Sequence, residues 1–139
     1  MAALSADCAR GRIATLGMYR LPVATLTKIY AGSLVSVNTG GYAIAALEDA
    51  TTTGVMGVAK FSVDNSLGAD GALFVDVEYG TFEFKTTDGA ITDIGLQMYV
   101  VNDNEIDSTA GANSILAGIC IGMTAAGVCT VFIKPGAKK

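Results

Sequence analysis

Residues 115–133 have the sequence ILAGICIGMTAAGVCTVFI, an uncharged apolar stretch that is long enough to span a bilayer as one helix. Its composition favours a different structure. The two halves contain several β-branched residues, the segment TAAG at 124–127 is typical of a tight turn, and Gly118, Gly122 and Gly127 would weaken a continuous helix. We therefore expect a buried β-hairpin here, and a tail-anchored membrane protein is the alternative.

Short strand-like runs precede this hairpin, and turn-forming sequences separate them. The runs cover residues 29–37, 42–47, 54–63, 73–84 and 96–101, and the turns are TGG (39–41), DATTTG (49–54), NSLGADG (65–71), TTDG (86–89) and NDNE (102–105). Seventeen glycines, two prolines and many Thr and Val residues suit short strands and turns. The sequence predicts a mainly β fold, a small single-domain β-barrel or sandwich. Any helix is expected to be minor and to lie in a connection such as 110–114.

The run LFVDVEYGTFEF at 73–84 changes the phase of its alternation. Apolar residues occupy odd positions up to Tyr79 and even positions from Phe82 onward, with Gly80 at the change. This pattern predicts a glycine bulge at Gly80 that inserts one extra residue, keeps both apolar sets facing the core and bends the strand.

The chain divides into three parts by composition. Residues 1–27 lack sustained periodicity and predict an extended N-terminal arm that stays loose until a partner orders it. Residues 28–135 form the predicted domain, and residues 136–139 form a basic tail. The first residues also lack the pattern of a secretory signal, and three cysteines without CxxC spacing indicate free, largely buried thiols made in a reducing compartment.

The charge is distributed unevenly along the chain. Residues 29–133 carry twelve acidic residues against two lysines, a net charge of −10, whereas each end carries +3. An acidic body does not favour nucleic acid as a partner. The basic ends either keep an acidic protein soluble or dock on a partner.

The sequence contains no arrangement of residues that predicts catalysis. Histidine is absent, which excludes Ser-His, Cys-His and His-based zinc chemistry. Asp103, Glu105 and Asp107 have the spacing that begins a calcium loop, but Ser108 stands where such a loop needs glycine, so a polar hairpin turn is the better interpretation. Phosphate-binding glycine motifs are absent as well. We expect a non-enzymatic protein with no catalytic residue, no metal site, no cofactor and no small-molecule substrate.

Five phrases, taken in order, resemble the capsid decoration (cement) proteins of tailed bacteriophages. They are KIYAGSLVSV (28–37), GVMGVAKFSVDN (54–65), VDVEYGTFEF (75–84), DIGLQMYVVNDNEID (93–107) and ILAGICIGMTAAGVCTVFIKP (115–135). The resemblance covers roughly residues 28–134, and the acidic turn at 102–107 departs from the family pattern. It implies a β-tulip fold that trimerises at three-fold or quasi-three-fold positions on the outer capsid surface of a virion assembled in the host cytoplasm.

The same resemblance implies the major capsid protein as partner and the N-terminal arm as the segment that grips it. The capsid-binding candidates in the arm are Arg10, Arg12, Ile13, Leu16, Met18, Tyr19, Arg20 and Leu21. Such a protein would bridge capsid subunits and stabilise the shell, and neither a membrane nor nucleic acid would be its partner. The alternative within the virion is a head-fibre base or a tail component.

Overall fold

The computed structural model describes residues 3–135, so the predicted basic tail at 136–139 lies outside the described residues. The chain folds into eleven strands and one short helical turn in this range. The strands are β1 (Arg12–Pro22), β2 (Thr27–Ile29), β3 (Leu34–Val37), β4 (Ala43–Ala45), β5 (Gly54–Ala59), β6 (Val63–Asn65), β7 (Phe74–Lys85), β8 (Gln97–Val100), β9 (Ile106–Asp107), β10 (Leu116–Ala125) and β11 (Val128–Ile133), and the 3₁₀ helix covers Ile91–Asp93. The fold is mainly β, as predicted.

Nine of these strands form one antiparallel sheet, and eight of them curl into a half-barrel. Eight follow the order β4-β3-β5-β7-β11-β10-β8-β9, and β1 joins as the ninth by pairing with β7. Strands β2 and β6 form a separate antiparallel pair. The predicted barrel-like, single-domain fold class is therefore confirmed.

Strand β7 organises the sheet because both of its edges are paired. Val77 and Glu78 pair with β1 and also with β5, so β1 and β5 lie on opposite edges of β7. Further along, Gly80 and Phe82 pair with β1 and β11. Strands β5 and β11 therefore pair with different segments of the same edge of β7. The sheet divides into two branches at this edge.

Two apolar cores lie on opposite faces of β7. Phe82 and Phe84 belong to the larger core, whereas Val75 and Val77 belong to the smaller one. The larger core contains Leu34, Ala46, Val55, Val58, Phe82, Phe84, Met98, Val100, Ile106, Ile115, Ala117, Cys120, Cys129, Val131 and Ile133. The smaller core contains Val23, Ile29, Val35, Ala43, Ala59, Val75 and Val77.

The change of alternation along β7 thus marks the point where its apolar side chains pass from the smaller core to the larger one. The predicted bulge at Gly80 is wrong. The pairing with β11 runs one residue to one residue from Gly80 to Lys85, so β7 contains no extra residue there. Gly80 instead has φ +142° and lies so close to β1 that an added Cβ would stand 2.1 Å from the carbonyl oxygen of Ala14. Glycine at this position lets two backbones approach.

The C-terminal hairpin is confirmed. Strands β10 and β11 are antiparallel, with Ala126 and Gly127 between them and Gly127 at φ +76°. None of the helices in residues 3–135 has the length and apolar character needed to cross a membrane. The helix predicted at 110–114 is wrong, because those residues form turn and irregular structure and the short 3₁₀ helix lies at Ile91–Asp93.

Candidate partner-binding surface

The N-terminal segment is a strand of the sheet over much of its length. Residues Arg12–Pro22 form β1, which pairs with β7 from Phe74 to Phe82. The prediction that residues 1–27 stay loose is therefore wrong for this part. The pairing is irregular at two places, where Ile13 and Leu16 are extra residues in β1. These extra residues interrupt the alternation of apolar and polar residues, so the sequence does not show the pattern of a strand here.

Ion pairs fasten β1 to β7. The Nε atom of Arg12 lies 2.8 Å from a carboxylate oxygen of Glu78, whose side chain is largely buried. The Nε atom of Arg20 lies 3.0 Å from a carboxylate oxygen of Asp76, in a more exposed pair. Two of the three arginines predicted to bind a capsid, Arg12 and Arg20, are thus engaged by β7, with Arg20 the more accessible.

The outer edge of β1 is open. Strand β7 occupies one edge, and in residues 3–135 no second strand pairs with the other. Three apolar side chains on this strand are exposed to solvent: Ile13 by 57%, Leu16 by 62% and Met18 by 52%. We call these three residues the β1 patch. An open strand edge with exposed apolar side chains is a template for adding a strand from another chain.

Tyr19 and Leu21 point the other way and pack against the smaller core. The hydroxyl of Tyr19 donates a hydrogen bond to the carbonyl oxygen of Met56, and its ring lies 5.9 Å from that of Tyr79. Burial raises the pKa of Tyr19, with a further contribution from Tyr79. These two candidates hold β1 in place and are not free for a partner.

Arg10 is buried and belongs to the interior. Its guanidinium donates hydrogen bonds to the carbonyl oxygens of Gly32 and Glu83 and to Oδ1 of Asn104, at 3.0, 3.1 and 3.2 Å. The group also lies 3.9 Å above the ring of Phe84. Burial lowers the pKa of Arg10, and nearby Cys8 and Asp103 oppose this. Arg10 therefore anchors the N-terminal segment instead of offering a charge to a partner.

The acidic turn at 102–107 receives the start of the chain. Oδ1 of Asp103 accepts a hydrogen bond from the backbone N–H of Leu4, and Oδ2 accepts one from the hydroxyl of Ser33. The carboxylate of Asp107 accepts hydrogen bonds from Thr87. No group of three or more Asp, Glu, His or Cys side chains within 3–135 is arranged to hold a metal ion. No local sequence pattern could reveal the docking role of this turn, because Leu4 and Asp103 are 99 positions apart in the chain.

A recess lies between the two branches of the sheet. It is a cavity of about 460 Å³ bounded by the start of β5, the start of β10 and the end of β11. Its lining residues are Thr53, Gly54, Val55, Ser114, Ile115, Leu116, Ala117, Gly118, Ile119, Phe132 and Lys134. Apart from two hydroxyls and one ammonium, the side chains are apolar, so the recess suits an apolar group.

Seven of the eight candidates separate into two sets. Arg10, Tyr19 and Leu21 are held within the protein, whereas the β1 patch and Arg20 face solvent along an open strand edge. The eighth, Arg12, lies between these cases, because it is partly exposed but paired with the largely buried Glu78. The surface is suited to binding another protein chain through backbone and apolar contacts. Comparison with known proteins gives no relative for the chain, since no family model, no curated protein and no solved structure matches it.

Proposed function

We propose that this protein is a structural virion component that binds the outer surface of a phage capsid and bridges major capsid protein subunits. The observation that carries the proposal is the open edge of β1 with its exposed patch of Ile13, Leu16 and Met18. A strand of a capsid subunit adds to this edge. Backbone hydrogen bonds supply affinity, and the three side chains enter apolar sites on the shell.

A rigid β1 favours this mode of binding. The pairing with β7 and the ion pairs of Arg12 and Arg20 fix the strand before any partner arrives. The entropy of ordering the strand has therefore already been lost on folding, and binding does not lose it again. This mechanism replaces the expected one, in which a loose arm orders only on the capsid.

The proposed assembly is a homotrimer at three-fold or quasi-three-fold positions. One contact through three apolar side chains is weak by itself, but two further contacts from the same trimer form at high effective concentration. The acidic body between residues 29 and 133 faces solvent in this arrangement, and its net charge of −10 keeps decorated particles apart.

The test compares matched serine substitutions. Deleting residues 2–20 would remove most of β1 and the Arg10 anchor, so Leu16→Ser and Met18→Ser are the sharper variants, since both side chains are more than half exposed. Leu67→Ser is the control, because Leu67 is fully exposed in the turn before β7. All three changes preserve charge. Co-sedimentation with undecorated capsids of the phage that encodes the chain measures binding, and light scattering measures the mass in solution against a protomer mass of 14.2 kDa.

We expect each β1 variant to weaken capsid binding by about 10-fold or more, as loss of an interface anchor does, and the Leu67 variant to bind like the original protein. Equal binding by all three variants would reject β1 as the contact. A folded protein that ignores capsids would reject the decoration function and favour another virion component, such as a head-fibre base or tail protein.

A further inference from the structure

Two thiols meet inside the C-terminal hairpin. Cys120 on β10 and Cys129 on β11 are both fully buried in the larger core. The sulfur of Cys129 lies 3.3 Å from that of Cys120 and donates a hydrogen bond to it. The third cysteine, Cys8, lies in the N-terminal segment before β1, where its backbone N–H donates a hydrogen bond to the carbonyl oxygen of Ala31.

The strand register explains how the thiols converge. Cys120 pairs with Val131, and Cys129 pairs with Met123, so the cysteines occupy diagonal positions on the same face of the ladder. Diagonal positions lie about 7–8 Å apart. This is slightly more than the spacing of about 7 Å that a disulfide bridges without backbone movement, so closure requires a local shift of the strands. The pairing is irregular between Cys120 and Gly122, where Ile121 is an extra residue. This bulge provides a place where the backbone can adjust.

The distance to be closed is small. A disulfide joins its sulfurs at about 2.05 Å, so the two sulfur atoms must approach by little more than about 1 Å. The bond would close a short loop across the turn at residues 126 and 127, within a hairpin whose strands already pair. The product therefore matches the existing fold instead of demanding a new one.

We propose that Cys120 and Cys129 are a latent disulfide, reduced while the protein is made and closed when it meets an oxidising environment. The oxidant is a low-molecular-weight disulfide of the glutathione class. One cysteine, as thiolate, attacks this disulfide, forms a mixed disulfide and releases one glutathione thiolate. The other cysteine then loses its proton and attacks the mixed disulfide, releasing the second glutathione. The protein loses two protons and two electrons, and the oxidant gains them.

Burial sets the rate of this reaction. Desolvation raises the pKa of Cys129, and the hydrogen bond with Cys120 raises it further, so the closed hairpin holds a protonated thiol that reacts slowly. Exchange then requires opening of the hairpin or oxidation during folding. The experiment therefore forms the bond during refolding.

Reduced, unfolded protein is refolded in glutathione buffers ranging from mostly reduced to mostly oxidised, then trapped by alkylation and examined by intact mass and peptide mapping. Cys8→Ala is the matched control, and Cys120→Ala and Cys129→Ala each remove one partner. We expect the oxidised forms of the original protein and the Cys8 variant to carry two alkyl groups fewer than their fully reduced forms, with the link mapped to 120–129. Their thermal midpoint should rise by several degrees.

A link that involves Cys8, a covalent dimer, or three free thiols in the refolded protein at the most oxidising ratio would overturn the proposal. Mapping of the original protein decides the pairing even where a core alanine variant fails to fold. The result does not depend on capsid binding.

Discussion

Replacement of Arg10 by alanine tests whether the start of the chain is anchored in the interior. The guanidinium of Arg10 donates to the carbonyl oxygens of Gly32 and Glu83 and to Oδ1 of Asn104, and it covers the ring of Phe84 at 3.9 Å. The substitution removes all of these contacts at once. It leaves the acceptors in a region that water reaches poorly, and it opens a void beside an aromatic ring.

The magnitude follows from the three donors. A hydrogen bond to a charged group contributes about 1.5–3 kcal/mol, and bonds from one group are not additive, so we expect the free energy of unfolding to fall by about 4 kcal/mol. Arg20→Ala is the matched control, because its pair with Asp76 is exposed and should contribute about 0–1 kcal/mol. Arg10→Lys keeps the charge but cannot reach three acceptors, so it should recover less than half of the loss.

Urea unfolding followed by circular dichroism measures these differences. The change should appear as a lower midpoint with an unchanged slope, since the surface exposed on unfolding is the same. If Arg10→Ala and Arg20→Ala cost the same, the guanidinium is not an interior anchor and the assignment of residues 3–11 to the body fails.

Three further predictions concern stability. Gly80→Ala should lower the free energy of unfolding by about 3 kcal/mol or more, since a positive φ and a clash with β1 combine. Gly95→Ala is the control, because Gly95 has φ +92° but nothing within 4 Å of an added Cβ, and it should cost only about 1–2 kcal/mol. Thermal melts compare the two variants. Tyr19→Phe should cost about 1–2 kcal/mol in urea, because it leaves a main-chain carbonyl of β5 without its donor. Partial burial alone would raise the pKa of Asp88, but hydrogen bonds from residues 108 and 109 hold it below its usual value. The ionised carboxylate therefore stabilises the fold above about pH 4, and this stabilisation is lost as the pH falls further. Asp88→Asn should reduce the fall in the free energy of unfolding below about pH 4, and an unchanged fall would contradict this.

Local signals predicted the parts of the fold that depend on neighbouring residues. The apolar runs of β10 and β11 flank a turn whose glycine takes the positive φ that turns require, so the hairpin was predictable from residues 115–133 alone. The parity change in β7 was also visible. Its interpretation failed, because a sequence does not show that Val77 and Phe82 serve cores on opposite faces of one strand.

Long-range contacts decided what the sequence missed at the candidate surface. Arg10 and Arg12 look equivalent in the sequence, yet one meets Asn104 in the interior and the other pairs with Glu78 on the neighbouring strand. The side-chain partners that distinguish the two arginines are 66 and 94 positions away in the chain. Ile13 and Leu16 broke the alternation of β1, and only the pairing with β7 identifies them as bulge residues.

The two bulges of β1 also bear on what the protein does at high concentration. A flat, regular edge strand can pair with its own copies without limit and grow into fibrils. The extra residues Ile13 and Leu16 twist and interrupt the edge, so an identical strand cannot follow it in continuous register from Arg12 to Pro22. These interruptions therefore disfavour endless stacking of the protein on itself through this edge.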